Sequence, residues 1–289
     1  MLPLTGRTGR IVVMLATAFL FGGPLVWLAL APTKTNEQLS GDFPLSFGSF
    51  SQVGTTWDNL MTFNDGQILV WLQNSVLYSA ASVALAIVLC LPAGYALATY
   101  RFPGRKLLLT LTLLTMIVPQ AALVLPLFLE MAQLRLIDTA WAVILPSGLF
   151  PFGVYLAYLH YAAALPPSLL DAGRIDGASE WELFRRIALP LSKPAVALIG
   201  FFSFTAVWNN YFLPFIMLSD DSRYTLQIGL QTLLSSTPAI NPARGLGDLP
   251  IQAPEAALAA LLTAAPVLVV FLFSQRFLVA GQLAGAEKG

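Results

Sequence analysis

The sequence predicts an all-α, polytopic membrane protein with six transmembrane helices. Hydrophobic residues make up 57% of the chain and charged residues only 10%, whereas a soluble domain carries about a quarter charged residues. A mean hydropathy of +0.73 excludes an ordinary soluble fold. The apolar residues also gather in six runs, each near the roughly 20 residues that cross a hydrocarbon core. Inside a bilayer each segment must satisfy its own backbone amides, so these runs are helices and not lipid-exposed strands.

The first run, 11–31, follows Arg7 and Arg10. Ala29-Leu30-Ala31 has the small-residue look of a signal-peptide cleavage site, but Pro32 directly after it and the length of the apolar core favour a retained helix. From Pro32 to Asn74 the chain is polar and too short for an independent domain. Its Phe43, Leu45, Phe47, Phe50 and Trp57 are read as local packing on helix ends, with a docking surface for an external partner as the other reading. The second run, 76–99, holds Cys90, the only cysteine, which can form no intramolecular disulfide and is expected to pack as a small apolar residue. Arg101 to Lys106 form a short basic hairpin with Pro-Gly punctuation, suited to headgroup contact. Runs 107–129 and 140–160 follow, the latter ending at His160, read as interfacial. After a polar stretch, 161–194, come run 195–218, an outer loop from Ser219 to Glu255 with a short helix over Thr225 to Leu234, and run 256–275. Pro119, Pro126, Pro146, Pro151 and Pro214 are expected to kink their helices. No fixed-period repeat stands out, so residues 1–289 read as a single transmembrane domain.

Lys and Arg accumulate in cytoplasmic loops. With the N-terminus inside, eleven basic residues fall on the cytoplasmic side, and only Lys34, Arg135, Arg223 and Arg244 on the other. That asymmetry predicts cytoplasmic N- and C-termini and puts the 161–194 loop in the cytoplasm.

The loop reads as two short helices joined by a tight turn. Ser168 with Asp171, and Ser179 with Glu182, have capping-box spacing. Gly177 between them supplies the positive φ of a sharp reversal, Pro190 ends the second helix, and Lys193-Pro194 begins span five. Trp181, Phe184 and Ala188 recur on one face of the second helix beside Arg185. Two readings of that face stand: a plug for a groove on a partner, or aromatic anchoring at the membrane interface. Asp171 likewise either caps its own helix or contacts a partner.

From Pro166 to Pro194 the stretch PPSLLDAGRIDGASEWELFRRIALPLSKP resembles the cytoplasmic coupling loop of permease subunits of binding-protein-dependent ABC importers, in their maltose and multiple-sugar branch. The family pattern is E-A-A-x-x-D-G-A, an amphipathic helix, then I-x-L-P. Asp171, Ala172, Gly173, Asp176, Gly177 and Ala178 fill its first part, with Asp for Glu at 171 and Gly for Ala at 173. Phe184, Ile187, Leu189 and Pro190 fill its second part. The run Trp208-Asn209-Asn210-Tyr211 is similar to an element of carbohydrate permeases. The resemblance implies a type I ABC importer permease fold in a bacterial inner membrane. It implies a homologous second permease, two ATP-binding subunits that hold ATP and Mg, an extracytoplasmic solute-binding protein, and a sugar, a di- or oligosaccharide, as cargo. It also implies that the 171–178 motif, with Trp181, Phe184 and Arg185, rests in a cleft of the ATP-binding subunit.

The residues themselves narrow the function. No Asp, Glu, Lys or Arg falls within the six runs, which argues against ion-coupled transport, and no phosphate-binding G-x-x-x-x-G-K-[ST] motif is present. Energy therefore has to come from a partner, with no cofactor in this chain. One His and one Cys, far apart, argue against a metal site, and no basic stripe suggests nucleic acid. Gln120, Trp208, Asn209, Asn210 and Tyr211 are candidates for a substrate path, since amides and aromatic rings suit sugars. The other reading of the asparagines is interhelical hydrogen bonding. A glycerol-phosphate or polyol cargo is the alternative within the class, disfavoured for phosphate by the lack of a basic residue in the spans. The rival from outside the class is an integral membrane transferase.

Overall fold

A computed structural model of the chain describes residues 7–237 and 251–286. Arg244, Pro238, Pro242, Pro250 and Lys288, used above, lie outside the described residues. The described residues contain helices and connecting turns and no strand.

In chain order the helices are α1 (Arg7–Leu30), α2 (Asn36–Gly41), α3 (Phe50–Met61), α4 (Gln67–Thr99), α5 (Arg105–Ile117), α6 (Gln120–Gln133), α7 (Ala140–Gly148) and α8 (Pro151–Ala164). They continue with α9 (Pro167–Ile175), α10 (Glu180–Leu183), α11 (Leu189–Leu191), α12 (Lys193–Trp208), α13 (Phe212–Met217), α14 (Leu226–Ser236) and α15 (Ala253–Ala286). Four stretches are long and apolar enough to span a bilayer: Gly9–Thr33, Phe63–Thr99, Ala140–Ala164 and Ala253–Gln275. Two bent pairs also pass by length and composition, α5 with α6 at 107° and Glu180–Leu191 with α12 at 73°, so the described residues hold four to six candidate spans.

The breaks have local causes. A residue before proline avoids the α region, so Val118 before Pro119 is extended at ψ 125° and Phe150 before Pro151 lies at ψ 85°. Pro119 and Pro151 therefore start new helices where kinks were expected; Pro126 and Pro146 do lie inside helices. Expected span 195–218 is divided too, because α12 stops at Trp208 and α13 restarts after Asn209–Tyr211. Span two begins at Gln67, nine positions before the expected 76, since the preceding turn through Asn64, Asp65 and Gly66 has positive φ throughout.

The contacts define two compact units. The first takes its described residues from Met1–Leu69 and Gly229–Ala265. In it α2 and α3 give the polar 32–74 stretch helical structure that its composition did not predict. Lys34 is buried, its Nζ donating to the Phe43 carbonyl at 2.8 Å, and Asn59 on α3 donates to buried Glu255 at 3.0 Å. The expected local packing of the outer aromatics is corrected: Phe43, Phe47, Phe50 and Trp57 are exposed, Phe50 at 82%, while Leu45 is half-buried. Phe47 and Phe50 meet each other at 4.8 Å, Trp57 projects from the middle of α3, and the segment before α3 is tied down by a backbone bond from Ser49 N to Thr33 O, 2.7 Å.

The second unit takes its described residues from Val70–Ile228 and from Pro266 onward. It has two apolar cores. One gathers Tyr78, Val124, Met131, Val143, Leu213 and Met217. The other gathers Cys90, Tyr95, Ala157, Tyr161, Phe184, Ala188 and Ile199. Cys90 packs as expected, fully buried, with its thiol donating to the Phe150 carbonyl at 3.3 Å. On α4, Trp71 Nε1 donates to the Asp221 carbonyl at 2.7 Å and Asn74 Nδ2 to the Ser222 carbonyl at 2.8 Å, which fastens the 219–226 loop. Asp138, at φ 58°, fastens the other side of that loop through the amides of Ser219 and Asp220 and the Arg223 guanidinium.

Candidate coupling element and substrate cavity

Residues 166–192 form the helix–turn–helix that the loop sequence predicts. Pro166 is the N-cap of α9 and Pro167 its first residue, where a missing amide costs nothing. The expected cap at Ser168 is corrected, because the two prolines start the helix before it and no side chain caps that end. Asp171 instead accepts from Arg174 Nη1 at 2.8 Å.

α9 closes in a Schellman turn. The Gly177 amide donates to Arg174 O and the Ala178 amide to Gly173 O, each at 3.0 Å, with Gly177 at φ +82°. The second capping box is present as expected: Ser179 Oγ accepts from the Glu182 amide at 3.3 Å, and the Ser179 amide donates to Glu182 Oε2 at 3.0 Å. The Ser179 amide, and after it the Ser179 hydroxyl that donates to Glu182 Oε2 at 2.9 Å, hold the Glu182 carboxyl below the usual glutamate range. After α10 the chain widens into a π turn over Phe184–Ala188, in which Leu189 N bonds to Phe184 O. Pro190 has no amide to close a regular turn, and the helix ends one residue beyond it at Leu191.

α9 and α10 meet closely. A methyl group on Gly173 would lie 2.5 Å from Leu183 Cδ2, so the glycine that departs from the family pattern is where the two helices touch. Arg174 ties them from outside, donating through Nε to Glu180 Oε1 at 2.8 Å as well as to Asp171. This pairing raises the Arg174 pKa and holds Glu180 below its ordinary value. Tyr100, just past α4, donates its hydroxyl to Glu180 Oε2 at 2.9 Å.

Asp171, Ala172, Asp176, Gly177, Trp181 and Arg185 are exposed on this element, and Gly173 and Ala178 are half-buried. The predicted apolar docking face is corrected. Phe184 is 6% exposed and packs on Tyr95 at 5.2 Å, and Ala188 is fully buried, because both face the core on α4 and α8. The most exposed apolar side chains of the element are Ile175, 86% exposed, and Trp181, 64% exposed. Sequence reasoning missed Ile175, which sits at the end of α9 where helical periodicity no longer indicates burial. It also missed Tyr100 and Arg174, whose partners lie across the fold. His160 Nε2 donates to the Leu191 carbonyl at 3.1 Å, closing the end of the element.

A cavity of about 580 Å³ opens where three helices break, at Val118, at Leu149–Phe150 and at Asn210. That volume lies in the range of small-molecule sites, about 300–1,000 Å³. Gln120, Asn210, Thr115 and Ser147 bring polar groups to a wall that is otherwise apolar. Gln120 and Asn210 thus stand where a substrate path was expected, and Asn210 Oδ1 also accepts from the Leu213 amide at 3.1 Å. Trp208, Asn209 and Tyr211, also expected on a substrate path, lie outside this wall. Trp208 is buried against Phe204 at 5.3 Å and Tyr211 stacks on Phe215 at 5.1 Å. Among the described residues no group of three or more His, Cys, Asp or Glu is placed to hold a metal.

Helices long and apolar enough to span a bilayer, with an exposed helix–turn–helix between α8 and α12, define a membrane protein. Residues 90–282 match the family model "Binding-protein-dependent transport system inner membrane component", and the chain belongs to that family. It is similar to the arabinooligosaccharides transport system permease protein AraQ of Halalkalibacterium halodurans, 34% identical over 94% of this chain and 93% of that one. It is also similar to the lactose transport system permease protein LacG of Rhizobium radiobacter, 30% identical over 95% and 94%. Among solved structures it resembles a bacterial ABC transporter involved in the import of the acidic polysaccharide alginate, with a TM-score of 0.76 over 95% of this chain and 99% of that one. At 20% identity that likeness shows the fold.

Proposed function

We propose that this chain is one of two permeases of an ATP-driven importer, and that it translocates a di- or oligosaccharide delivered by an extracytoplasmic solute-binding protein. Two ATP-binding subunits hold ATP and Mg on the cytoplasmic side, where both termini of this chain also lie. The observation that carries the reading is the 166–192 element, an ordered helix–turn–helix whose end exposes Ile175, Trp181 and two carboxylates to a partner. The sugar assignment is supported by the relatives' names and by a cavity whose few polar groups are neutral amides and hydroxyls. Neutral donors and acceptors fit sugar hydroxyls, and apolar walls fit their CH faces.

Docking is tested by Ile175→Cys in the assembled complex. Cys90 is the only native cysteine and is buried, so a crosslink reports the new thiol alone. A crosslink to the ATP-binding subunit supports the reading; its absence, with a crosslink instead to the second permease, contradicts it. Uptake of arabinose-, galactose- or glucose-based oligosaccharides into proteoliposomes, set against glycerol phosphate, tests the cargo.

A further inference from the structure

The coupling element is covalently joined only to α8, through Leu165–Pro166, and to α12, through Ser192. No chain connection carries its movement to α4, which leaves the cytoplasmic end through Tyr100 toward α5. Across that gap runs a continuous polar line. The Tyr100 hydroxyl donates to Glu180 Oε2 at 2.9 Å, and Glu180 receives Arg174 through both Nε (2.8 Å) and Nη2 (3.4 Å). Arg174 then reaches Asp171 at 2.8 Å. One line therefore grips α9, α10 and the end of α4. Tyr100 itself is held in place: its amide bonds to Ala96 O at 3.1 Å, and its ring meets Tyr95 edge-on at 5.8 Å. Burial, followed by the hydrogen bond to Glu180, raises the Tyr100 pKa, so the phenol stays protonated as donor.

We propose that Tyr100 is the positioning residue through which movement of the coupling element is passed to α4, by way of its hydrogen bond to Glu180. The proposal rests on the reading of 166–192 as the coupling element. Apolar packing of Phe184 on Tyr95 also joins the two, but such contact is non-directional. The Tyr100–Glu180 bond is directional, and it fixes the register in which α4 follows.

The test uses the assembled importer in proteoliposomes, with uptake and ATP hydrolysis measured together. Tyr100→Phe keeps the ring contact and removes the donor. Expected are normal assembly, ATP hydrolysis within about twofold of native, and uptake per ATP lowered about threefold or more, a size set by a charge-assisted bond discounted for exposure. Glu180→Gln keeps an acceptor for Tyr100 and is expected to retain more uptake per ATP than Glu180→Ala. Tyr100→Phe added to Glu180→Ala should cause no further loss, as two members of one link. Native uptake per ATP in Tyr100→Phe, parallel loss of hydrolysis and uptake, failure of that variant to assemble, or additive losses in the double variant would each overturn the proposal. Gly177→Pro separates the two levels. If it uncouples while Tyr100→Phe does not, only the role of Tyr100 fails; if neither uncouples, the reading of the element fails.

Discussion

Gly173 stands where the family pattern has alanine, and the 2.5 Å approach to Leu183 Cδ2 shows what the missing methyl allows. Alanine in place of glycine gains up to about 1 kcal/mol of helix propensity, while overpacking a filled site costs about 1–3 kcal/mol. Valine gains less propensity and adds more volume, so Gly173→Val is expected to destabilise the α9–α10 contact by about 2 kcal/mol. Faster proteolysis between Asp176 and Ser179 in the assembled complex would report it; an unchanged cleavage rate would count against the close packing. Gly177 is constrained by φ rather than by space, with nothing near a Cβ built on it. Gly177→Asn should therefore be tolerated, since asparagine enters the left-handed region most readily after glycine. Gly177→Pro should not be, because proline fixes φ near −65° and removes the amide that bonds Arg174 O.

At the scale of elements, what could be read from the sequence was what is decided within a few residues. The Ser179–Glu182 box and the Gly177 turn needed only spacing, and both are present. Ser179→Ala is expected to cost about 1 kcal/mol of local stability, measurable as increased amide exchange at Glu182. Ser168 was misread because two prolines moved the helix start, a local effect outweighed by another local effect. What covers Phe184 and what Tyr100 bonds to could not be read from spacing: one is buried by α4 and α8, and the other finds its partner 80 positions away. Periodicity shows that a face is apolar, but not whether the chain or a partner covers it. The 219–226 loop carries a pH prediction of its own. Asp138 accepts from the Ser219 and Asp220 amides and pairs with Arg223, which holds its carboxyl below the usual range. A depressed folded pKa gives stabilisation that is present above the unfolded value, about 3.9, and lost as pH falls through the folded one. Exchange at the Ser219 and Asp220 amides should stay slow at pH 5 and rise only below about pH 4. Asp138→Asn, which keeps an acceptor but no charge, should lose that acid dependence.

For the whole molecule, six spans were foreseen; the described residues hold four candidate spans and two bent pairs, and one of those pairs joins part of the 166–192 element to α12. The bends were not foreseen in their geometry, because a run of apolar residues fixes length but not direction. The breaks at Val118, Leu149–Phe150 and Asn210 shape the cavity, whose wall includes Gln120 and Asn210 but not Trp208, Asn209 or Tyr211. Asn210→Ala removes a polar group from the wall together with the bond to the Leu213 amide. It is expected to raise the substrate concentration for half-maximal uptake several-fold, about 1 kcal/mol, while ATP hydrolysis without substrate stays unchanged.

The central claim is that the 166–192 element transmits the work of ATP to the membrane helices. Its most direct test is substrate-stimulated ATP hydrolysis and uptake by the purified complex in nanodiscs and proteoliposomes, comparing the native chain with Asp171→Lys and Gly177→Pro. The coupling role predicts that both variants assemble with the second permease while stimulation and uptake collapse. Full stimulation and native uptake in both variants would contradict it.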